Sequence, residues 1–306
     1  VSHSLKLGMI GLDTSHAPEF AALLSDSLLP GHVPGGSIVA AYPGEPSADL
    51  AVSYGRVERI TDELKHRFGV PIVDSAEAVA EQCDAVMILS VDGRVHLELF
   101  KRIAPYGKPV FIDKPFAVSS SEAAEMFEIA ARYQVPLMSC SSLRYTDELV
   151  AELQRDDTEA ILGADCYGPI EFEPPLPGYY WYGIHTVEML YRIMGKGCVS
   201  VTVTSNEGYD CMVGVWQDGR IGTVRGNRQG NWQYGALIHR QSTASLVDIR
   251  LEGNSIYAGL LSRIMHSFQT GKPDVEAEET IEIIRFLECA NESRQSGATV
   301  KLFPEG

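Results

Sequence analysis

The sequence predicts an α/β protein in two parts. An N-terminal Rossmann-type doubly wound parallel sheet is expected over residues 1–140, and a C-terminal α/β domain with a largely antiparallel, open sheet over residues 141–306. Three observations predict it. The first half alternates short apolar runs with helix-like segments, the pattern of βαβ units. After about Cys140 the apolar residues recur at every second position, as in half-buried antiparallel strands. The length, 306 residues, exceeds that of a usual single core.

In chain order, Leu5 to Leu12 reads as the first strand and Ala17 to Ser27 as a helix. A second strand is expected at Ser37 to Tyr42, followed by a long polar stretch, Pro43 to Arg59. A helix near Thr61 to Phe68 and a short strand at Pro71 to Val73 come next. Asp84 to Ser90 reads as a buried strand, Val95 to Ala104 as a helix, and Val110 to Ile112 as the next strand, led in by Gly107-Lys108-Pro109. Ser121 to Tyr133 and Pro136 to Ser139 complete the first domain. In the second domain, helices are expected near Asp147 to Arg155 and at Tyr180 to Met194, the latter after the break Pro174-Pro175-Leu176-Pro177-Gly178. Strands follow at Val199 to Val203, Met212 to Trp216, Ile221 to Arg225, Ala236 to Arg240 and Ser245 to Leu251, then helices at Ile256 to Thr270 and Ala277 to Glu292.

Composition narrows the function classes. A formal net charge of -16 argues against nucleic acid and anionic membrane surfaces as partners. Six scattered cysteines without metal-like spacing fit a reduced, cytoplasmic protein, and no metal site is assigned. No apolar run is long enough to span a bilayer. The N-terminus carries no signal-peptide pattern, and its trimmed look leaves room for a removed leader.

The chemistry concentrates at strand ends. Lys114, in Phe111-Ile112-Asp113-Lys114-Pro115, stands where a parallel strand meets its loop, the edge at which open α/β sheets bind ligands. The first strand-to-helix turn reads Gly11-Leu12-Asp13-Thr14-Ser15-His16, so only the first glycine of a dinucleotide-binding G-x-G-x-x-G is kept. Gly11, Asp13, Thr14, Ser15 and His16 are therefore candidates to line an altered phosphate cradle. An ionised Asp13 at ~4 Å from a phosphate would be repelled by roughly 4 kcal/mol at an effective dielectric of ~20. Alternatively, Asp13 or Ser15 caps the helix. Tyr42 at the second strand end is a candidate to stack on adenine, Ser90 and Asp113 lie at the ends of neighbouring strands, and Glu45, Arg56 or Arg59 could reach the ribose region. NAD and NADP both remain open.

Gly8-Met9-Ile10-Gly11, His96, Tyr106-Gly107-Lys108-Pro109-Val110 and Asp113-Lys114-Pro115 together resemble the glucose-fructose oxidoreductase and inositol dehydrogenase family (Gfo/Idh/MocA), whose hallmark at the last of these is Glu-Lys-Pro. The likeness continues through Arg144, Gly183-Ile184-His185, and Phe268 with Gly271-Lys272-Pro273 and Glu278. The resemblance implies a nicotinamide-dependent oxidoreductase acting on a small-molecule sugar, cyclitol or related polyol. Lys114 and His185 match the family's residues that assist proton transfer. Where the family carries an aspartate one helical turn before the histidine, this sequence has Trp181, and Glu188 is the candidate to orient the imidazole instead. Structural roles are expected for His16 and His96 alongside the cofactor reading of His16. Arg144, Tyr145, Trp181 and Tyr182 are candidate substrate residues, the aromatic run Tyr179 to Tyr182 suiting the apolar faces of a sugar ring. An open sheet with alternating apolar residues predicts a homo-oligomer, a dimer or tetramer. A non-redox enzyme on the same scaffold, or a cofactor-binding regulatory protein without catalysis, are the alternatives.

Overall fold

The computed structural model describes residues 4–155, 159–251 and 256–303, and these fall into two compact units. In the first, β1 (Leu5–Ile10), β2 (Gly36–Tyr42), β3 (Ala85–Ile88), β4 (Val110–Ile112) and β5 (Leu137–Met138) form a parallel sheet in the order β2-β1-β3-β4-β5. Leu7, Met9, Val86, Met87, Phe111 and Ile112 are all buried, which explains why these strands read as continuous apolar runs. The connections are α1 (His16–Ser25), α2 (Ala51–Tyr54), α3 (Val57–Arg67), α4 (Ala76–Gln82), α5 (His96–Ile103) and α6 (Ser120–Tyr133).

Two expectations are corrected here and one helix is added. The polar stretch Pro43 to Arg59 contains α2 and the start of α3. The segment before β3 holds α4, with Ser75 accepting the Ala78 amide as its N-cap. Pro71 to Val73 is no strand of its own and contributes a single bridge, Ile72 to Ala41.

In the second unit, α7 (Asp147–Leu153) leads into β6 (Ile161–Pro169), and α8 (Gly183–Met194) follows a 3-10 turn at Gly178–Tyr180. β7 (Cys198–Ser205), β8 (Tyr209–Trp216), β9 (Ile221–Asn227), β10 (Tyr234–Arg240) and β11 (Ala244–Ile249) come next. After them the chain forms α9 (Ile256–Thr270), α10 (Ala277–Ser296) and β12 (Val300–Lys301). The sheet order is β11-β10-β6-β9-β8-β7-β12, antiparallel except for the parallel pair β6 and β9. α8 packs on one face, over β6, β9 and β10. On β8, Asp210, Met212 and Trp216 turn to that covered face, while Tyr209, Cys211, Val213 and Val215 turn away.

The expected second block, 141–306, is interrupted. Among the described residues the first unit comprises 4–117, 121–140 and 256–277, and the second 118–120, 141–155, 159–251 and 278–303; the ends of the expected ranges, 1 and 306, lie outside the described residues. The reason is packing. α9 lies against α1, where the Tyr257 ring meets those of His16 and Phe20 at 4.7 and 6.3 Å.

Candidate active site

In the first unit the candidate residues gather at the carboxyl ends of β1, β3 and β4. Gly11 has φ +85°, and a Cβ there would lie 2.1 Å from Ser90 Oγ and 2.5 Å from the Ser90 amide nitrogen. Only glycine lets the two loops approach this closely. The site role expected of Ser90 includes this backbone contact, and its carbonyl faces His96 Nε2 at 2.8 Å. His96 Nδ1 faces the Phe116 carbonyl at 3.1 Å, so the buried imidazole clamps the loop after β3 to the segment following Lys114.

Asp13 is turned away from the helix head. Its carboxylate accepts the Ser53 hydroxyl at 2.6 Å and the Val91 amide at 2.9 Å. Burial raises its pKa despite those hydrogen bonds. Asp13 thereby joins the segments carrying Ser53 and Val91 to the first strand-to-helix turn. Ser15 makes no side-chain cap, and the cap is Thr14, whose Oγ1 accepts the His16 amide at 3.3 Å. The His16 and Ala17 amides are bonded to Thr14 and Pro18 has no N–H, so exposed Ser15 and the helix dipole are what this end of α1 offers an anionic pyrophosphate. In this respect the residues fit a dinucleotide.

His16, in the place of a motif glycine, is buried beside Tyr257. Its Nδ1 lies 2.5 Å from Asp113 Oδ2, a close contact without the direction of a good hydrogen bond. Asp13 and His16, three residues apart, therefore serve different partners. Burial opposes ionisation of Asp113, but His16, Lys114 and the Lys114 amide outweigh it and hold the carboxyl below the ordinary aspartate range. The half-buried Lys114 is driven the other way. Burial lowers its pKa, Arg56 adds to the effect and Asp113 opposes it. Such a lysine gives up its proton more readily than a solvated one. At the end of β2, half-buried Tyr42 has the Arg102 guanidinium 5.9 Å from its ring centroid, so one side of the expected adenine platform faces a cation. Arg59 is exposed and pairs with Glu63.

The second unit carries the other cluster. His185, in the first turn of α8, has Nδ1 2.7 Å from Ser141 Oγ. The edges of Tyr182 and Tyr234 flank the imidazole at 5.9 and 6.2 Å between centroids. Glu188, the candidate to orient the imidazole, is buried in an ion-pair network. It accepts the Ser141 amide and pairs with Arg144 at 2.9 Å, while Arg144 also reaches Glu279 at 2.5 Å. Burial pushes the Glu188 carboxyl up to about 7, Arg144 opposing and the nearby Glu279 assisting. Two acids share one cation, and retaining a proton removes the excess negative charge.

Arg144 and Tyr145, expected to touch substrate, are buried at 3% and 4% exposure. The Arg144 guanidinium is engaged by two carboxylates, and the Arg192 guanidinium lies 6.0 Å from the Tyr145 ring centroid. The aromatic run also divides. Tyr179 and Tyr180 are core residues, while Trp181 and Tyr182 are half-buried. Trp232, which drew no attention in the sequence, joins Tyr182 edge-on at 5.7 Å and is half-exposed. Ser53, Ser141 and Tyr257 were also missed. Ser53 lay in the long polar stretch, Tyr257 in the helix expected at Ile256 to Thr270, and Ser141 at the domain boundary three residues before Arg144, and none carried a signal of its partner.

The first unit thus carries a half-buried lysine at a strand end of a parallel sheet, and the second a histidine among aromatic rings. Residues 6–140 match the GFO_IDH_MocA model, described as an oxidoreductase family with an NAD-binding Rossmann fold. The match spans the N-terminal parallel sheet and stops at Cys140. The chain is 23% identical over 311 residues to D-xylose 1-dehydrogenase (NADP(+)) 2 of Haloferax volcanii, covering 86% of this chain and 94% of that protein. Its fold is that of apo scyllo-inositol dehydrogenase from Lactobacillus casei, with a TM-score of 0.79, 14% identity and 99% of each chain covered. An oxidoreductase from Agrobacterium radiobacter, solved with NAD+, L-tartaric acid and magnesium, matches with a TM-score of 0.75, 17% identity and 98% of each chain covered.

Proposed function

We propose that the protein is an NAD(P)-dependent dehydrogenase of a sugar, cyclitol or related polyol, with Lys114 and His185 as its proton-handling residues. The observation that carries this reading is Lys114, half-buried at the end of a parallel strand, its backbone amide donating to Asp113 and its ammonium destabilised by burial. The named relatives acting on D-xylose and on scyllo-inositol support the substrate class.

Gly11, Thr14, Ser15 and Ser90 would hold the dinucleotide at the head of α1, with Tyr42 near its adenosine end and Asp113 and Lys114 at its nicotinamide end. Asp13 and His16 support that cradle from beneath. A bound oxidised nicotinamide would supply the acceptor for the carbinol hydrogen as hydride, with both bonding electrons. The hydroxyl proton passes to His185 Nε2, a base of suitable class near neutrality. The Lys114 ammonium stabilises the oxygen as it gains negative charge. Tyr182, Trp181 and Trp232 offer ring faces to the C–H surface of the substrate.

The uncovered sheet face carries Val213, Val215, Ile221, Leu237 and Leu246, the last 68% exposed, and this supports a homo-oligomer built through that face. All six cysteines are free, which suits a reducing, cytoplasmic setting. Among the described residues no helix is long and apolar enough to cross a membrane. Calorimetric titration with NAD(H) and NADP(H), followed by turnover on a polyol panel, tests the reading. Absence of binding by both cofactors would overturn it.

A further inference from the structure

Ser141 lies where the chain leaves β5 for the 3-10 turn Ser142–Tyr145, and its groups are used in three directions. Its Oγ accepts the Leu143 amide at 3.3 Å and lies 2.7 Å from His185 Nδ1. Its amide donates to the carboxylate of Glu188, which the buried Arg144 holds in turn. We propose that Ser141 is the positioning residue of the catalytic base, its hydroxyl holding the imidazole by Nδ1 so that Nε2 is the nitrogen that exchanges the substrate proton. This rests on the assignment of His185 as that base.

The chemistry of a hydroxyl distinguishes this arrangement from one built on a carboxylate. With its capping bond made, Oγ still has a lone pair to accept Nδ1–H, which leaves Nε2 basic, and the same bond persists when Nε2 becomes protonated. A carboxylate in that place would also stabilise the imidazolium by charge. Ser141 and the rings of Tyr182 and Tyr234 stand against the imidazole. Glu188, one turn along α8, is committed to Arg144 and the Ser141 amide. Trp181, in the position before α8 where a carboxylate would lie within one turn of His185, supplies no charge.

The test compares Ser141→Ala, Ser141→Thr and Ser141→Asp in the full chain, using D-xylose or myo-inositol, whichever the wild type oxidises. Asp keeps the turn cap while placing an anion at Nδ1. The acid limb of kcat/KM for oxidation should therefore move to higher pH by about one unit. Ser141→Ala should lower kcat about tenfold or more with KM nearly unchanged, and Ser141→Thr should restore kcat to within about threefold of wild type, a general-base contribution being ~10²–10⁴-fold in all. In parallel, 15N spectra of the histidine ring, assigned with His185→Gln, report its tautomer and titration whether or not any sugar is turned over. An unmoved titration in folded Ser141→Asp, or equal losses in the Ala and Thr variants, would overturn the proposal. A wild type that oxidises no polyol would overturn the dehydrogenase reading alone, since the ring spectra still decide the role of Ser141.

Discussion

Replacing Glu188 by glutamine tests the buried triad that supports the base. In the native protein Glu188 and Glu279 share Arg144, and burial pushes the Glu188 carboxyl from an ordinary 4.5 up to about 7. A folded-state pKa above the unfolded one means that the native state binds more protons between those values. The associated stabilisation is fully present below pH 4.5 and is lost as pH rises through about 7. At ~1.4 kcal/mol per pH unit the interval corresponds to about 3 kcal/mol, an upper bound because Arg144 can reorganise. Urea denaturation of wild type and Glu188→Gln from pH 5 to 8 measures it, since other titrating groups cancel in the difference. The wild type should lose stability over this range relative to the variant, by about 2–3 kcal/mol. Parallel pH profiles would refute the shared-proton account of the triad.

Other consequences are open to direct measurement. Gly11→Ala places a Cβ against Ser90 at a positive φ, so it should cost at least about 1–2 kcal/mol in denaturation and weaken NAD(H) binding in calorimetry. Asp13→Ala leaves the Val91 amide and the Ser53 hydroxyl without their acceptor, with an expected loss of about 1–3 kcal/mol in the same denaturation assay. Trp232→Ala should raise KM several-fold with kcat nearly preserved, the ring contact being worth about 0.5–1.5 kcal/mol. Light scattering at micromolar concentration should give at least a dimer, and a monomer would remove the proposed role of the uncovered sheet face.

The parallel sheet was legible because strands buried on both faces leave uninterrupted apolar runs such as Val86 to Leu89. The period-two alternation of β8 was equally plain. α4 escaped notice because Ala76–Gln82 is too short to show a helical period, its Ser75 cap being the only local signal. β6 was obscured by Gly163, Asp165 and Gly168, residues that do not favour strands and are tolerated by its central packing. That α9 belongs with α1 rests on rings more than two hundred positions apart, which no local pattern encodes. At the site, residue types were readable and partners were not. Asp13 looked like an obstacle to phosphate until Ser53 and Val91 were seen to hold it, and Arg144 looked available until two acids were found on it.

The central claim is that Lys114 works in nicotinamide-dependent oxidation of a polyol. The most direct measurement follows nicotinamide absorbance with NAD+ and NADP+ over a panel of aldoses and cyclitols, for wild type and for Lys114→Ala with its fold verified by circular dichroism. The account predicts reduction of one cofactor by at least one polyol in the wild type and loss of that turnover by about 10²-fold or more in the variant, with cofactor binding retained. Undiminished turnover in Lys114→Ala, or a wild type that binds cofactor and oxidises no member of the panel, would contradict it.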